Sequence, residues 1–158
     1  MSVGRSGARR TLTGGWAGGG LFWTSIRTMP GKVLIVDDDP LIQVLYKNQL
    51  EKAGYTLVTA KDGAEAVAVA SREQPQIIVM DVIMRKMDGI AALRELKKNE
   101  ATRKIPVVIS TETVSAHYAT KKECENSGAV GFLTKPFSPA QLITEVKRVT
   151  EASETKPG

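Results

Sequence analysis

Five side chains in this 158-residue sequence have both the type and the placement for chemistry: the adjacent Asp37 and Asp38, then Asp81, Thr111 and Lys135. Each closely follows a short apolar run. Two carboxylates ~4 Å apart repel by about 4 kcal/mol at an effective dielectric near 20, so three acids brought together require a cation or raised pKa values. A hard divalent ion answers this. Magnesium prefers oxygen ligands and keeps several waters, which suits one or two carboxylates plus a phosphate better than a closed protein cage. A carboxylate attacking phosphorus needs the phosphoryl oxygens neutralised and an open line of approach. The Lys135 ammonium can pair with one such oxygen, the Thr111 hydroxyl can donate to another, and a metal can bridge a third. Asp81 is then the natural nucleophile.

Positioning these residues falls to a regular alternation that begins at Lys32. A β-branched run over residues 33–36 reads as a strand and residues 40–53 as a helix, with Asp39 as N-cap, Pro40 in the first turn and Gly54 permitting a left-handed exit. A second strand spans 55–59, and Asp62-Gly63-Ala64-Glu65 forms a capping box for a helix to about residue 73. Residues 77–80 are continuously apolar, as a strand covered on both faces must be, and Asp88 caps a helix over 89–99. Strand 106–110, helix 114–127 ended by Gly128, and strand 129–133 follow. Ser138-Pro139-Ala140-Gln141 opens a last helix to about residue 150. Ile42, Leu45, Leu142 and Val146 form apolar core stripes on the first and last helices. Five strands alternating with five helices require crossover connections and a parallel sheet, where ligands bind beyond the carboxyl ends of the strands. All five candidate residues fall at that edge. Asp39, Asp62 and Asp88 are read as helix caps, whereas no helix starts beside Asp81.

Composition narrows the class. A hydrophobic fraction of 42% and a charged fraction of 25% describe an ordinary soluble globular chain, and no run approaches the ~18 apolar residues of a membrane span. The formal charge of +5 is local: residues 1–31 carry Arg5, Arg9, Arg10 and Arg27 and no acid, leaving 18 basic against 17 acidic residues in the remainder. Direct nucleic-acid binding therefore has no basic face behind it in the folded part. Residues 1–31, rich in Gly and Arg, read as a disordered extension of non-native origin, 32–150 as the folded domain, and 151–158 as a polar tail. The single Cys124 reads as a small apolar helix residue and His117 as a structural one, and one unpaired thiol suits the cytoplasm.

Val36-Asp37-Asp38, Asp81 with Met84, Met87-Asp88-Gly89, Thr111 and the run from Gly131 through Phe132, Lys135 and Pro136 to Phe137 together resemble the receiver domain of two-component response regulators. The resemblance covers residues 32–150. It implies a flavodoxin-like doubly wound fold with strand order 2-1-3-4-5, and a signalling protein of the single-domain, chemotaxis-regulator kind rather than an enzyme. It also implies phosphoryl transfer from a sensor histidine kinase or phosphotransfer protein to Asp81. Asp38 would ligate magnesium directly, Asp37 through water, and Asp81 and the Ile83 carbonyl would complete the protein ligands. Thr111 and Lys135 would contact the phosphoryl group, and a cis Lys135-Pro136 peptide would aim the lysine inward. Thr111 and Phe132 would switch the face of helix four, strand five and helix five, to which a downstream effector binds.

This chain departs from that pattern in three places. Arg85 stands where the family usually has Pro after Met84. The stretch from Thr111 to Gly128 is about two residues longer than usual, which makes Ser110 an alternative switch hydroxyl. Ile83 and Thr113 flank the expected path of attacking water, and an apolar Ile83 cannot orient that water, so slow autodephosphorylation is expected. Two alternatives have their own logic: a haloacid-dehalogenase-type phosphohydrolase using Asp37 with Asp39, and a receiver-like binding module that works without phosphorylation.

Overall fold

The computed structural model describes residues 31–84, 89–111 and 117–155. Among these described residues five strands, β1 (Lys32–Val36), β2 (Thr56–Ala60), β3 (Ile77–Asp81), β4 (Val107–Thr111) and β5 (Gly131–Thr134), alternate with five helices. These are α1 (Pro40–Lys52), α2 (Gly63–Glu73), α3 (Gly89–Lys98), α4 (His117–Asn126) and α5 (Pro139–Thr155). The sheet is parallel throughout, in the order β2-β1-β3-β4-β5, which is the flavodoxin-like arrangement expected from the sequence.

The strand period of two divides the core into two layers. Leu34 and Val36 of β1, Ile78 and Met80 of β3, and Val107 and Ile109 of β4 face Ala66, Val69, Leu93, Leu96 and Cys124 from α2, α3 and α4. Val33, Ile35, Ile77, Val79 and Val108 face the other way, toward Tyr46 and Leu50 of α1 and Leu142, Val146 and Val149 of α5. Every residue of β3 and β4 is buried, which explains why β3 reads as an unbroken apolar run. Leu45 is a correction. It is 49% exposed, because the inward stripe of α1 runs through Ile42, Tyr46 and Leu50 at four-residue spacing and leaves position 45 outside it.

Local chemistry fixes the element ends. Asp39 accepts from the Leu41 N–H at 2.9 Å, and Asp62 from the Glu65 N–H at 2.8 Å. Glu65 reaches back to the Lys61 N–H, one residue before the cap, so the expected reciprocal box is displaced by one position. Ser138 and Gln141 form the full box: the Gln141 N–H donates to Ser138 Oγ at 3.1 Å and the Ser138 N–H to Gln141 Oε1 at 2.8 Å. Gly54 ends α1 at φ +98° and Gly128 follows α4 at φ +111°, a left-handed conformation that side chains rarely adopt. The last helix runs to Thr155, five residues past the expected end and into the stretch expected to be a tail. The first breaker in the sequence there is Pro157, and polarity alone does not stop a helix. The expectations for residues 1–30, Arg85, Met87, Asp88, Thr113 and the His117 side chain lie outside the described residues.

Candidate functional site

Sheet order dictates where the site forms. The chain leaves β1 toward β2 on one side and returns to β3 on the other, so a crevice opens between the carboxyl ends of β1 and β3. Asp37 and Asp38 directly follow β1 and Asp81 is the last residue of β3. One oxygen from each of the three carboxylates lies within 4.8 Å of the others. They line a cleft of about 350 Å³ together with Asp39, Ile42, Ile83 and Lys135.

Lys135 is carried in by the turn after β5. Its N–H donates to the Thr111 carbonyl at 2.7 Å, and the Lys135-Pro136 peptide is cis, as the resemblance implies. Lys135 Nζ then donates to Asp37 Oδ2 at 2.9 Å and to Asp81 Oδ2 at 3.1 Å. The remaining oxygens take backbone donors: the Asp39 N–H on Asp37 Oδ1 at 2.9 Å and the Ile83 N–H on Asp81 Oδ1 at 3.1 Å. Burial holds the Asp81 carboxyl above the ordinary carboxylate value, against the opposing pull of Lys135 and the Ile83 N–H. Burial alone would lower Lys135. The hydrogen bond to Asp37 and the charges of Asp81 and Asp37 outweigh it and raise the ammonium well above its usual value.

Asp37, Asp38, Asp81 and Lys135 therefore meet, as their strand-end positions predict. Thr111 closes β4 beside them, 3% exposed, but contributes its carbonyl to Lys135 and is not among the residues lining the cleft. Ser110, the alternative hydroxyl, is paired in register with Asp81 and is also buried. Phe132 is half-buried on β5 against the core layer of α2, α3 and α4, with the Lys121 ammonium 6.0 Å from its ring centre. Asp39, the second carboxylate of the phosphohydrolase alternative, spends its Oδ1 on the α1 cap. A contributor without a sequence signal is Gln43. Its carboxamide Nε2 donates to the Asp37 carbonyl at 2.7 Å and to the Ala60 carbonyl at 2.9 Å.

A divalent cation fits this donor set. Three carboxylates converge on one open cleft, and among the described residues each oxygen of Asp37 and Asp81 has a hydrogen-bond donor and a lone pair to spare for a cation.

A family model described as the response regulator receiver domain matches residues 33–147. The alkaline phosphatase synthesis transcriptional regulatory protein PhoP of Bacillus subtilis is 36% identical over 126 residues, covering 80% of this chain and 51% of that protein. The chain spans about half the length of the first curated relatives it matches. Among solved structures, the chemotaxis protein CheY4 of Vibrio cholerae is 33% identical with a TM-score of 0.72, covering 76% of this chain and 98% of that one. The receiver domain of a sensor histidine kinase from Pseudomonas aeruginosa PAO1, 30% identical with a TM-score of 0.69 over 77% of this chain and 98% of its own, has a magnesium ion coordinated in its active site cleft. The family match begins in β1, ends in α5 and takes in every residue of the cleft, so the chain belongs to the response-regulator receiver family.

Proposed function

We propose that this receiver domain accepts a phosphoryl group on Asp81 from a phosphohistidine of a sensor kinase or phosphotransfer protein, in a magnesium-dependent reaction in the cytoplasm. The observation that carries this reading is the Lys135 ammonium held between Asp37 and Asp81 in an open cleft that Asp38 also lines. In the transfer, the donor's N–P bond breaks as an O–P bond forms to Asp81, and the imidazole leaves with the bonding electrons and takes up a proton. Lys135, raised in pKa and held on two carboxylates, remains charged and moves a hydrogen bond onto a phosphoryl oxygen as the Asp81 oxygen becomes the bridging oxygen of an acyl phosphate. The Ile83 N–H fixes the other Asp81 oxygen, so that carboxylate presents one face to the donor. Asp37, Asp38, Asp81 and the Ile83 carbonyl would hold magnesium, which when bound supplies charge neutralisation on the phosphoryl oxygens.

The hydroxyl of Thr111, or of Ser110 in register with Asp81, would donate to the phosphorylated residue. Phe132 and the surrounding α4–β5–α5 face would pass the change to a downstream effector protein. Among the described residues no helix is long and apolar enough to cross a membrane. The test is incubation with acetyl phosphate and magnesium followed by intact-mass and peptide mapping. Wild type should gain one phosphoryl group on Asp81, and Asp81→Asn none. Uptake on Asp37 would restore the phosphohydrolase alternative, and absence of uptake in a folded wild type would leave a phosphorylation-independent binding module.

A further inference from the structure

The carbonyl of Asp37 lies one residue beyond the end of β1, where the sheet ladder no longer supplies a partner for it, and the acidic pair hangs on the peptide that carries it. Gln43, a half-buried residue of α1, supplies that partner. Its Nε2 donates one hydrogen to the Asp37 carbonyl at 2.7 Å and the other to the Ala60 carbonyl at 2.9 Å. Ala60 is the last residue of β2, and its carbonyl also accepts the Asp37 N–H at 3.1 Å. The first helical bond of α1, from the Gln43 N–H to the Asp39 carbonyl at 3.1 Å, anchors the same residue to the far end of the turn. Gln43 thus ties together the end of β1, the end of β2 and the start of α1.

We infer that Gln43 is a positioning residue, which fixes the Asp37–Asp38 peptide plane and thereby aims the acidic pair at the cation the cleft takes; this rests on the metal-dependent reading above. The carbonyl of Asp37 and the N–H of Asp38 belong to one rigid plane, so holding that carbonyl toward α1 and β2 sets the direction in which Asp38 leaves the backbone. Only the NH2 end of the carboxamide can face two carbonyl oxygens, and its two hydrogens match the two acceptors. An apolar isostere such as methionine fills the space without donating, and it leaves a strand-end carbonyl short of its partner beside three carboxylates. The turn then has two orientations of the Asp37–Asp38 peptide open to it instead of one, and binding must select between them.

The deciding experiment compares wild type, Gln43→Met and Leu50→Ala, the last being a fully buried core residue about two turns further along the same helix. Amide hydrogen exchange in metal-free protein reads the turn directly, as the ratio of the rate at Asp37 to the rate at Val79 in the central strand. Magnesium alone is then titrated, followed by amide chemical shifts. Gln43→Met should raise that exchange ratio and weaken magnesium binding by about tenfold or more, the range for lost outer-shell support of a metal ligand. Leu50→Ala should lower the melting temperature further while leaving both the ratio and the magnesium affinity as in wild type. An unchanged exchange ratio in Gln43→Met overturns the inference, as does an equal loss of magnesium affinity in Leu50→Ala. A wild type that binds no magnesium overturns the metal-dependent reading instead, and the metal-free exchange ratio still decides whether Gln43 holds the turn.

Discussion

Lys135 has one ammonium to set against two buried carboxylates. Its side chain is 11% exposed, that of Asp37 3% and that of Asp81 11%, so neither acid has bulk water to fall back on if the lysine is lost. Breaking such a pair from one side costs on the order of 3 kcal/mol, because the partner charges stay buried. Lys135→Met is accordingly expected to lose about that much stability in chelator by denaturant unfolding and to recover part of it when magnesium is added. A variant as stable as wild type in chelator would mean the carboxylates are better solvated than their burial indicates. Ile83 makes the opposite case, a side chain that does nothing for the charges. It lines the cleft two residues after Asp81 and is 66% exposed, yet it has no group with which to orient a water molecule. Ile83→Asn adds one hydrogen-bonding side chain at that rim. The phosphoryl half-life should shorten by up to about tenfold, the rate equivalent of one hydrogen bond worth about 1.4 kcal/mol. The measurement is decay of the phosphorylated species after removal of the donor, and an unchanged half-life removes the role assigned to Ile83.

The elements of the fold were largely written in local signals, and what escaped those signals was decided by packing at a distance. Asp39-Pro40, Ser138-Pro139 with Gln141, and Gly54 and Gly128 mark helix ends through bonds that close within four residues, so the sequence order itself carries them. The convergence of Asp37, Asp38, Asp81 and Lys135 was equally legible, since strand order and the carboxyl edge follow from alternation alone. Gln43 was not. Its acceptors are six and seventeen residues away, and a glutamine in the first turns of a helix has no signature that separates an anchor from a solvated side chain. Leu45 fooled the apolar count because positions three and four residues after Ile42 both fit the helical period, and only packing decides that Tyr46 rather than Leu45 turns inward. Gly89 shows the same limit from another direction. The sequence places it at the start of a helix without showing why a glycine stands there, and its φ is not in the left-handed region. What it supplies is space: a Cβ there would sit 2.3 Å from the Asp81 carbonyl oxygen and 2.7 Å from Val82 Cα. The start of α3 therefore presses directly on the backbone that carries Asp81, and the Gly89 N–H donates to the Val82 carbonyl at 2.7 Å. Gly89→Ala forces backbone apart, so it should cost about 1–3 kcal/mol, as overpacking does, and displace Asp81 as well. Phosphoryl uptake from acetyl phosphate should fall in Gly89→Ala by more than in a variant of equal melting temperature such as Val69→Ala. Equal uptake in the two would make the close approach a matter of stability only.

Across the whole molecule, the cleft is a site where function is set against stability, and pH separates the two. The sheet, its two apolar layers and the capped helices bring three carboxylates together beside Lys135, and burial raises the Asp81 carboxyl despite that lysine. A raised acid in the folded state binds its proton more tightly than the unfolded chain does. Stability therefore falls as pH rises from the ordinary carboxylate value through the raised one, and stays lower above it. Lys135 works in a different window. Its raised ammonium contributes stability that is complete below the ordinary lysine value and is lost only as pH rises through the still higher folded value, so it is constant from acid to neutral pH. Removing the Asp81 charge in Asp81→Asn should consequently leave stability near wild type at about pH 4 and make the variant progressively more stable than wild type toward about pH 7 in chelator, the region just above the reference carboxylate values. If the cleft takes magnesium as proposed, the ion should reverse the ranking at neutral pH, because an ion that binds only the folded protein stabilises it by about 2.7 kcal/mol at a hundredfold excess over its dissociation constant. Wild type should gain that increment, and Asp81→Asn, with one carboxylate fewer among the three that converge, should gain less. Thermal unfolding of both proteins at several pH values, with chelator and with magnesium, measures all four quantities. A wild type that is the more stable of the two in chelator at neutral pH would show that Lys135 more than compensates the buried acids, and that the cleft is at rest without a cation.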